Sequence, residues 1–268
     1  ASVLSAVSHL RRMGKKNHDQ NSNTKQSSFT SSSSPAALDA FYILNSTGVR
    51  FDGGGAIHGQ GYPWWWDTIL TGVDHRPYLF MIKGTSDIYL GNLELRDSPM
   101  YHVFLQDVKT VLVEYLNIYV DIWGQLEIQN KGRALTQKMM LTEEERGLFA
   151  GSKRMPLIGT EIPTFPLNTD GIDIAGVDVI VRHCTVENFD DALCPKPLNK
   201  KSVHGPCSRN QHWFNHTITY GVGASIGSVP PNPSVNCISD IVIEDVHFTN
   251  ALKTLYIKPN PCPNPSTD

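Results

Sequence analysis

The residues with the most chemical potential are Asp170, within Asn168-Thr169-Asp170-Gly171, and the pair Asp190-Asp191, which follows about twenty residues later. Three carboxylates brought together can divide acid and base work. One holds a proton for a departing oxygen, while another stays ionised to activate water. Crowding like charges pushes their pKa values apart and keeps one group protonated near working pH. Such a cluster suits acid–base cleavage of a sugar–sugar bond. Either motif alone is an ordinary turn, because Asn, Asp and Gly favour turns. In this order and at this separation they point to a site, provided the chain returns on itself at that interval.

An internal repeat supplies the return. Apolar residues recur at offsets 0, 2, 5 and 7 in Ile88, Leu90, Leu93, Leu95; in Val111, Val113, Leu116, Ile118; in Val179, Val181, Cys184, Val186; and in Ile241, Ile243, Val246, Phe248. A weaker copy starts at Val49 and Phe51, and another at His212 and Phe214, with polar residues at two of its four slots. The step from Ile88 to Val111 is 23 residues, and that from Val111 to Val179 is 68, about three such units. Two inward residues, a short turn and two more inward residues describe strand–turn–strand alternation. No run keeps helical periodicity over a comparable length. Short strands at a fixed period indicate a solenoid, and the β-branched and leucine content indicates parallel strands around an apolar interior. The sequence therefore predicts an all-β parallel β-helix. A leucine-rich repeat is the rival, but its Leu-x-x-Leu-x-Leu…Asn signature does not recur. In a β-helix, residues one coil apart stack at ~4.8 Å, which would bring Asp170 beside Asp190 and Asp191.

The chain resembles glycoside hydrolase family 28, the polygalacturonases and their relatives, from about Phe41 to Pro261. Besides the carboxylate motifs, the resemblance rests on Phe51-Asp52-Gly53-Gly54-Gly55, Ile57-His58-Gly59-Gln60-Gly61, Trp64-Trp65-Trp66-Asp67 and Arg76-Pro77. It continues in Gly221-Val222-Gly223-Ala224-Ser225-Ile226-Gly227-Ser228 and Tyr256-Ile257-Lys258. It implies a single-stranded right-handed parallel β-helix that hydrolyses α-1,4-galacturonic acid linkages of pectin with inversion, using neither metal nor cofactor. By resemblance Asp190 is the general acid, and Asp170 and Asp191 hold and deprotonate the attacking water. Lys258, with Asn168 and Tyr256, contacts substrate, the lysine pairing with a uronic carboxylate. Two positions depart from the family pattern. Val222 stands where the family has histidine, and Tyr256 where it has an arginine that grips galacturonate. A tyrosine offers one hydroxyl and a stacking face instead of a planar two-point clamp. The alternatives are a hydrolase of another pectic backbone such as rhamnogalacturonan, or a catalytically impaired carbohydrate-binding β-helix. A β-helical pectate lyase needs a calcium site and an arginine base, and neither pattern is present. A purely structural solenoid has no need of three clustered carboxylates.

Residues 1–38 lack apolar periodicity and are expected to be disordered, as Lys15 to Ser28 and the serine run Ser31 to Ser34 suggest. Val3 to Val7 is too short and serine-rich for a signal-peptide core. The helical domain is expected over 39–262, with an irregular insertion at 124–165 and a tail at 263–268. Within the insertion, Thr142 and Glu145 could form a capping box. Pro259, Pro261, Pro263 and Pro265 oppose a regular last strand, and the chain reads as truncated at both ends.

Hydrophobic residues make up 40% of the chain and the formal charge is −3. Dispersed Lys and Arg, outnumbered by Asp and Glu, exclude a nucleic-acid footprint, and no apolar run reaches membrane-spanning length. The expected partner is a pectic polysaccharide, bound by a secreted, extracellular monomer. Asn45-Ser46-Thr47 and Asn215-His216-Thr217 are glycosylation sequons that agree with secretion. Of the five cysteines, Cys184 occupies an inward slot and is expected to be a buried thiol. The resemblance implies a Cys194–Cys207 bridge, and Cys237 and Cys262 are further candidates. Trp64, Trp65 and Trp66 are expected in a loop, packing over the end of a coil. His204 and His212 lie between the Asp pair and Val222, so either could replace the missing histidine.

Overall fold

The computed structural model describes residues 3–5, 39–122, 124, 166–230 and 236–259. The expected insertion beyond residue 124, its capping box, Cys262 and the tail lie outside these residues. So does most of the front segment, although β1 (Val3–Ser5) is a strand rather than an unstructured stretch. It is followed by β2 (Phe41–Leu44), β3 (Thr47–Phe51) and β4 (Ala56–His58), then helix α1 (Tyr62–Thr71). Next come β5 (Phe80–Lys83), β6 (Ser86–Arg96), β7 (Val103–Tyr119), β8 (Ile172–Arg182), β9 (Thr185–Asn188) and β10 (Asp191–Pro195). The remainder is β11 (Leu198–Asn199), β12 (Arg209–Tyr220), β13 (Gly223–Val229), β14 (Asn236–Cys237), β15 (Ile241–Thr249) and β16 (Leu255–Pro259).

Apart from β11 and β14, which form a separate antiparallel pair, these strands form three parallel ladders, one on each face of a coil. The first stacks Phe41, Phe80, Val103, Ile172, Leu193, Ala224 and Leu255. The second stacks Val49, Ile88, Val111, Val179, Gln211 and Ile241. The third stacks Ile57, Leu95, Ile118, Val186, Ile218 and Phe248. Inward residues from all three meet in one continuous apolar core. This is the parallel β-helix anticipated from the repeat.

The three-residue step inside that repeat has a backbone cause. Asn92, Tyr115, His183, Asn215 and Asp245 lie between the second and third inward residues of successive coils, and all have positive φ. A left-handed residue turns the corner and restarts the alternation, a conformation Asn and Asp tolerate better than most residues. Asp87, Thr110, Asp178, Asn210 and Asp240 form a parallel column of left-handed corners just before the first inward residue.

Three expectations need correction. Val111 lies directly opposite Val179, so their 68-residue step is one coil with an inserted segment, not three coils. The inward residues of β12 are Gln211, Trp213, His216 and Ile218, one position before the copy placed at His212 and Phe214. A one-residue slip exchanges the two faces of a strand. It was invited by two polar inward residues, both of which are hydrogen-bonded. The Gln211 amide donates to the Gly176 carbonyl at 2.9 Å and accepts from Trp213 Nε1 at 3.1 Å. His216 Nδ1 accepts from the Cys184 N–H at 3.3 Å. Third, Trp64 to Trp66 lie in α1, not in a loop. Pro63 opens the helix, and Gly72 closes it with φ 68° and an N–H bond to the Thr68 carbonyl.

Trp65 is buried as expected, but against two adjoining middle coils rather than over the end of one. It is 1% exposed, beside Val120 and Phe189, and its Nε1–H reaches the Pro99 carbonyl at 2.9 Å. At the C-terminal end of the helix, Leu255 and Ile257 continue the inward column yet are 55% and 67% exposed, because no described coil stacks beyond them.

The bridge is Cys207–Cys237, not Cys194–Cys207. Cys194 is a buried free thiol in register with Asp173, donating to the Gly227 carbonyl, and Cys184 is a buried free thiol as expected.

Candidate active site

The two motifs meet on adjacent coils. The Gly171 N–H donates to the Asp191 carbonyl at 2.8 Å, and Ile172 is paired with Leu193. One carboxylate oxygen from each of Asp170, Asp190 and Asp191 can be chosen so that the three lie within 4.8 Å of one another. Between Asp191 and Leu193 the register shifts against β13, with two residues of β10 facing one. This bulge frees Asp191 from strict alternation and turns it toward Tyr256 and Lys258. Gly171 has no room for a side chain, since a Cβ there would stand 2.4 Å from the Ala192 carbonyl oxygen.

Side chains beneath the turns hold them together. Buried Asn188 donates to the carbonyls of Thr169 at 3.0 Å and Asp191 at 2.8 Å. The Thr169 hydroxyl donates to the Pro166 carbonyl at 2.8 Å and accepts from the Phe189 N–H at 3.3 Å. Trp65 packs against Phe189 and so supports the chain immediately before Asp190.

Each carboxylate has a different environment. Asp190 is the only partly exposed member; its oxygens accept the N–H groups of Asn168 and Asp191, both at 2.9 Å. Asp191 is fully buried and accepts on both oxygens, from the Tyr256 hydroxyl and the Lys258 ammonium. Asp170 is buried with Oδ1 unpartnered. Burial, then the charges of Asp173 and Asp190, raise its pKa well above the ordinary carboxylate value, with Lys196 partly opposing them. The proton of this group is shared property of a crowded cluster.

Asn168 is brought to the site, where its backbone N–H bonds Asp190 and its side chain is held by Arg76. Its Oδ1 accepts from Arg76 at 3.2 Å, and Arg76 also reaches the Leu167 carbonyl at 2.5 Å and both oxygens of Asp74. Tyr256 and Lys258 border the cluster from β16, and Lys253 caps the Tyr256 ring at 4.1 Å from its centroid. Neither histidine considered as a replacement joins them. His212 pairs with Glu244 at 2.7 Å, and the His204 N–H bonds Asp107. The Val222 N–H donates to the Asp190 carbonyl at 2.8 Å. The histidine that does touch the site is His102, whose Nδ1 is 3.0 Å from the Asp170 carbonyl oxygen. Burial lowers its pKa to about 4, so it is a neutral structural donor.

The sequence reading missed a fourth carboxylate. Asp173 is fully buried, and Lys196 Nζ stands 3.0 Å from its Oδ2. It occupies an outward slot between inward Ile172 and Ile174, where alternation alone predicts a solvated side chain.

The model of glycosyl hydrolases family 28 matches residues 20–264. The chain belongs to this family. Among its family 28 relatives, an Arabidopsis thaliana protein named probable polygalacturonase is 21% identical over 215 residues, covering 79% of this chain and 34% of that protein. An exopolygalacturonase of Cochliobolus carbonum is 23% identical over 221 residues, covering 81% and 39%. The crystal structure of endo-xylogalacturonan hydrolase from Aspergillus tubingensis matches with a TM-score of 0.59 at 18% identity, over 85% of this chain and 50% of that one. The family 28 fold is a right-handed parallel β-helix, as expected from the resemblance. The chain spans 34% and 39% of the lengths of these two curated relatives.

Proposed function

We propose that the protein hydrolyses glycosidic bonds in a pectic polysaccharide. The observation that carries this reading is the convergence of Asp170, Asp190 and Asp191 within 4.8 Å, with only Asp190 open to a ligand. Asp190 donates its proton to the glycosidic oxygen as the bond breaks. Asp170 and Asp191 direct a water to the anomeric carbon; its oxygen bonds that carbon, one of the two carboxylates takes up its proton, and that proton passes to Asp190 before the next cycle. Burial and the neighbouring carboxylates favour the protonated form of Asp170 in the free protein. Asp191, held by Tyr256 and Lys258, is the fixed anchor of the water.

Single displacement with inversion is proposed from the family resemblance. Enzymes that use two carboxylates for this chemistry separate them by roughly 6.5–9.5 Å to admit water between them. Here the closest oxygens are nearer, so the water must sit beside a three-carboxylate cluster rather than between opposed partners.

Asn168 serves to orient Asp190 rather than to grip sugar. Lys258 has three donors, one of them used on Asp191, which leaves capacity for a uronic carboxylate. We further place the protein outside the cell as a monomer. The sequon residues Asn45 and Asn215 are exposed at corners of the coil, in keeping with that setting. Among the described residues, no helix is long and apolar enough to cross a membrane.

Val222 and Tyr256 favour a second reading, a binding module without turnover. Incubation with polygalacturonate and with rhamnogalacturonan separates the readings. New reducing ends without unsaturated sugars support hydrolysis, and unsaturated ends indicate a lyase. Retention of polysaccharide without products supports the binding module.

A further inference from the structure

We propose that the buried Asp173–Lys196 ion pair is a positioning element for catalysis, setting how readily Asp170 gives up its proton: Lys196 favours release and Asp173 favours retention. The inference rests on the hydrolase reading above.

The pair is built into the two coils that carry the acidic cluster. Asp173 lies three residues after Asp170, second in β8, while Lys196 follows β10, the strand that begins with Asp191. Cys194 pairs with Asp173 in register, and the Lys196 N–H donates to the Ile174 carbonyl at 2.8 Å. Neither oxygen of Asp173 accepts a well-aligned hydrogen bond. Its counter-charge is the Lys196 ammonium, 3.0 Å from Oδ2, and that lysine is itself largely shielded from solvent. A fully buried carboxylate without a directional partner is costly to keep. A merely structural role is met as well by an apolar pair of similar volume, often with a gain in stability. The position of this pair beside the cluster offers another reason for it.

Charges face Asp170 from every side. Its own stretch contributes Asp173, and the neighbouring coil contributes Asp190, Asp191 and Lys196. On the preceding coil are neutral His102 and the half-buried phenol Tyr101, with Lys196 Nζ 5.9 Å from the Tyr101 ring centroid, and one coil further back is the half-buried phenol Tyr78. β10 itself carries the buried Cys194 thiol, and beyond β10 lie Tyr256 and Lys258, both turned to Asp191. Four carboxylates thus share two ammonium groups. Asp173 is the foremost charge raising the Asp170 pKa, and Lys196 is the charge opposing it. Burial also raises the pKa of Asp173 itself, to about 6 against the pull of Lys196. The effects of the two partners on Asp170 have opposite signs, which a packing role does not predict.

The test uses the full chain and four variants: Lys196→Met, Asp173→Asn, Lys196→Arg and the Asp173→Asn/Lys196→Met double. The first readout is the ascending limb of kcat against pH, which follows ionisation of the water-directing carboxylates. The second is the pH at which the fall of the melting temperature with rising pH levels off, once Asp170 is ionised in the folded protein, which needs no activity. Lys196→Met moves both upward by about one pH unit, and Asp173→Asn moves both downward by a similar amount. Lys196→Arg stays near the parent. The double variant returns toward the parent and covers the case in which Lys196→Met alone fails to fold. Shifts in the same direction, or reduced kcat with unmoved limbs in both single variants, overturn the proposal. If no variant or parent turns over, the hydrolase reading fails, while the pH at which the melting temperature levels off still decides the role of the pair.

Discussion

The Tyr256 hydroxyl donates to Asp191, placing a phenol from the last described strand against the deepest carboxylate of the cluster. Asp191 raises the Tyr256 pKa further, after the effect of burial, so the phenol stays a donor. Lys258 occupies the other oxygen. Removing the hydroxyl leaves one oxygen of a fully buried carboxylate without a partner, a cost of about 1–3 kcal/mol. Tyr256→Phe should lower the melting temperature measurably and reduce kcat by about tenfold or more, since ~1.4 kcal/mol corresponds to a factor of ten. Unchanged kcat with an unchanged melting temperature would show that the bond orders nothing.

Tyr256→Arg probes substrate choice at the same position. A guanidinium can grip a uronic carboxylate with two parallel bonds. The variant should lower KM for polygalacturonate more than for rhamnogalacturonan. Equal effects on both would place Tyr256 outside the recognition surface.

Asp170→Asn should stabilise the fold while impairing turnover. The folded-state pKa of Asp170 lies above its unfolded value, so the folded form binds the extra proton between the two. That contribution is fully present below the unfolded pKa and is lost as pH rises through the folded pKa. Asparagine has nothing to ionise. The difference in melting temperature, variant minus parent, should therefore grow with pH from about 4 upward. A difference that stays constant or shrinks over this range contradicts the raised pKa.

Trp65 ties α1 to the turn before Asp190 through Phe189. Trp65→Ala removes a buried ring and its hydrogen bonds, at about 3–5 kcal/mol. Circular-dichroism melting reads the loss. Because the ring supports Phe189, kcat should fall even at temperatures where the variant is fully folded. A stability loss with full activity would confine Trp65 to packing.

The core repeat was legible because inward residues alternate and a left-handed corner resets them at a constant offset, as between Leu90 and Leu93 around Asn92. The reading slipped at β12, where Gln211 and His216 are inward and polar and satisfy their bonds within the core. It also miscounted the coils between Val111 and Val179, since sequence distance cannot distinguish added coils from an inserted segment. The three site carboxylates were legible from motif order. Asp173 and Lys196 were not, because outward slots normally face solvent and only tertiary packing buries these. Pro63 and Gly72 marked the ends of α1, but the Trp run between them lacked a clear helical period. The cysteine pairing depended on which coils adjoin, and the antiparallel contact between β11 and β14 sets Leu198 opposite Cys237.

Non-reducing peptide mapping should recover Cys207 joined to Cys237, and Cys184 and Cys194 should resist thiol reagents until the protein unfolds. Burial raises both free thiols, Cys184 to about 12, which suppresses the reactive thiolate. Recovery of a Cys194–Cys207 peptide would contradict the pairing.

The most direct test of the three-carboxylate cluster is release of reducing ends from polygalacturonate and rhamnogalacturonan in ¹⁸O-labelled water, comparing parent with Asp190→Asn at equal folded concentration. The parent should yield saturated products carrying one heavy oxygen at each new anomeric centre, and Asp190→Asn should lose at least two orders of magnitude in rate, the usual worth of a general acid at ~10²–10⁴-fold. Unlabelled or unsaturated products, or a variant as fast as the parent, would contradict hydrolysis by these carboxylates.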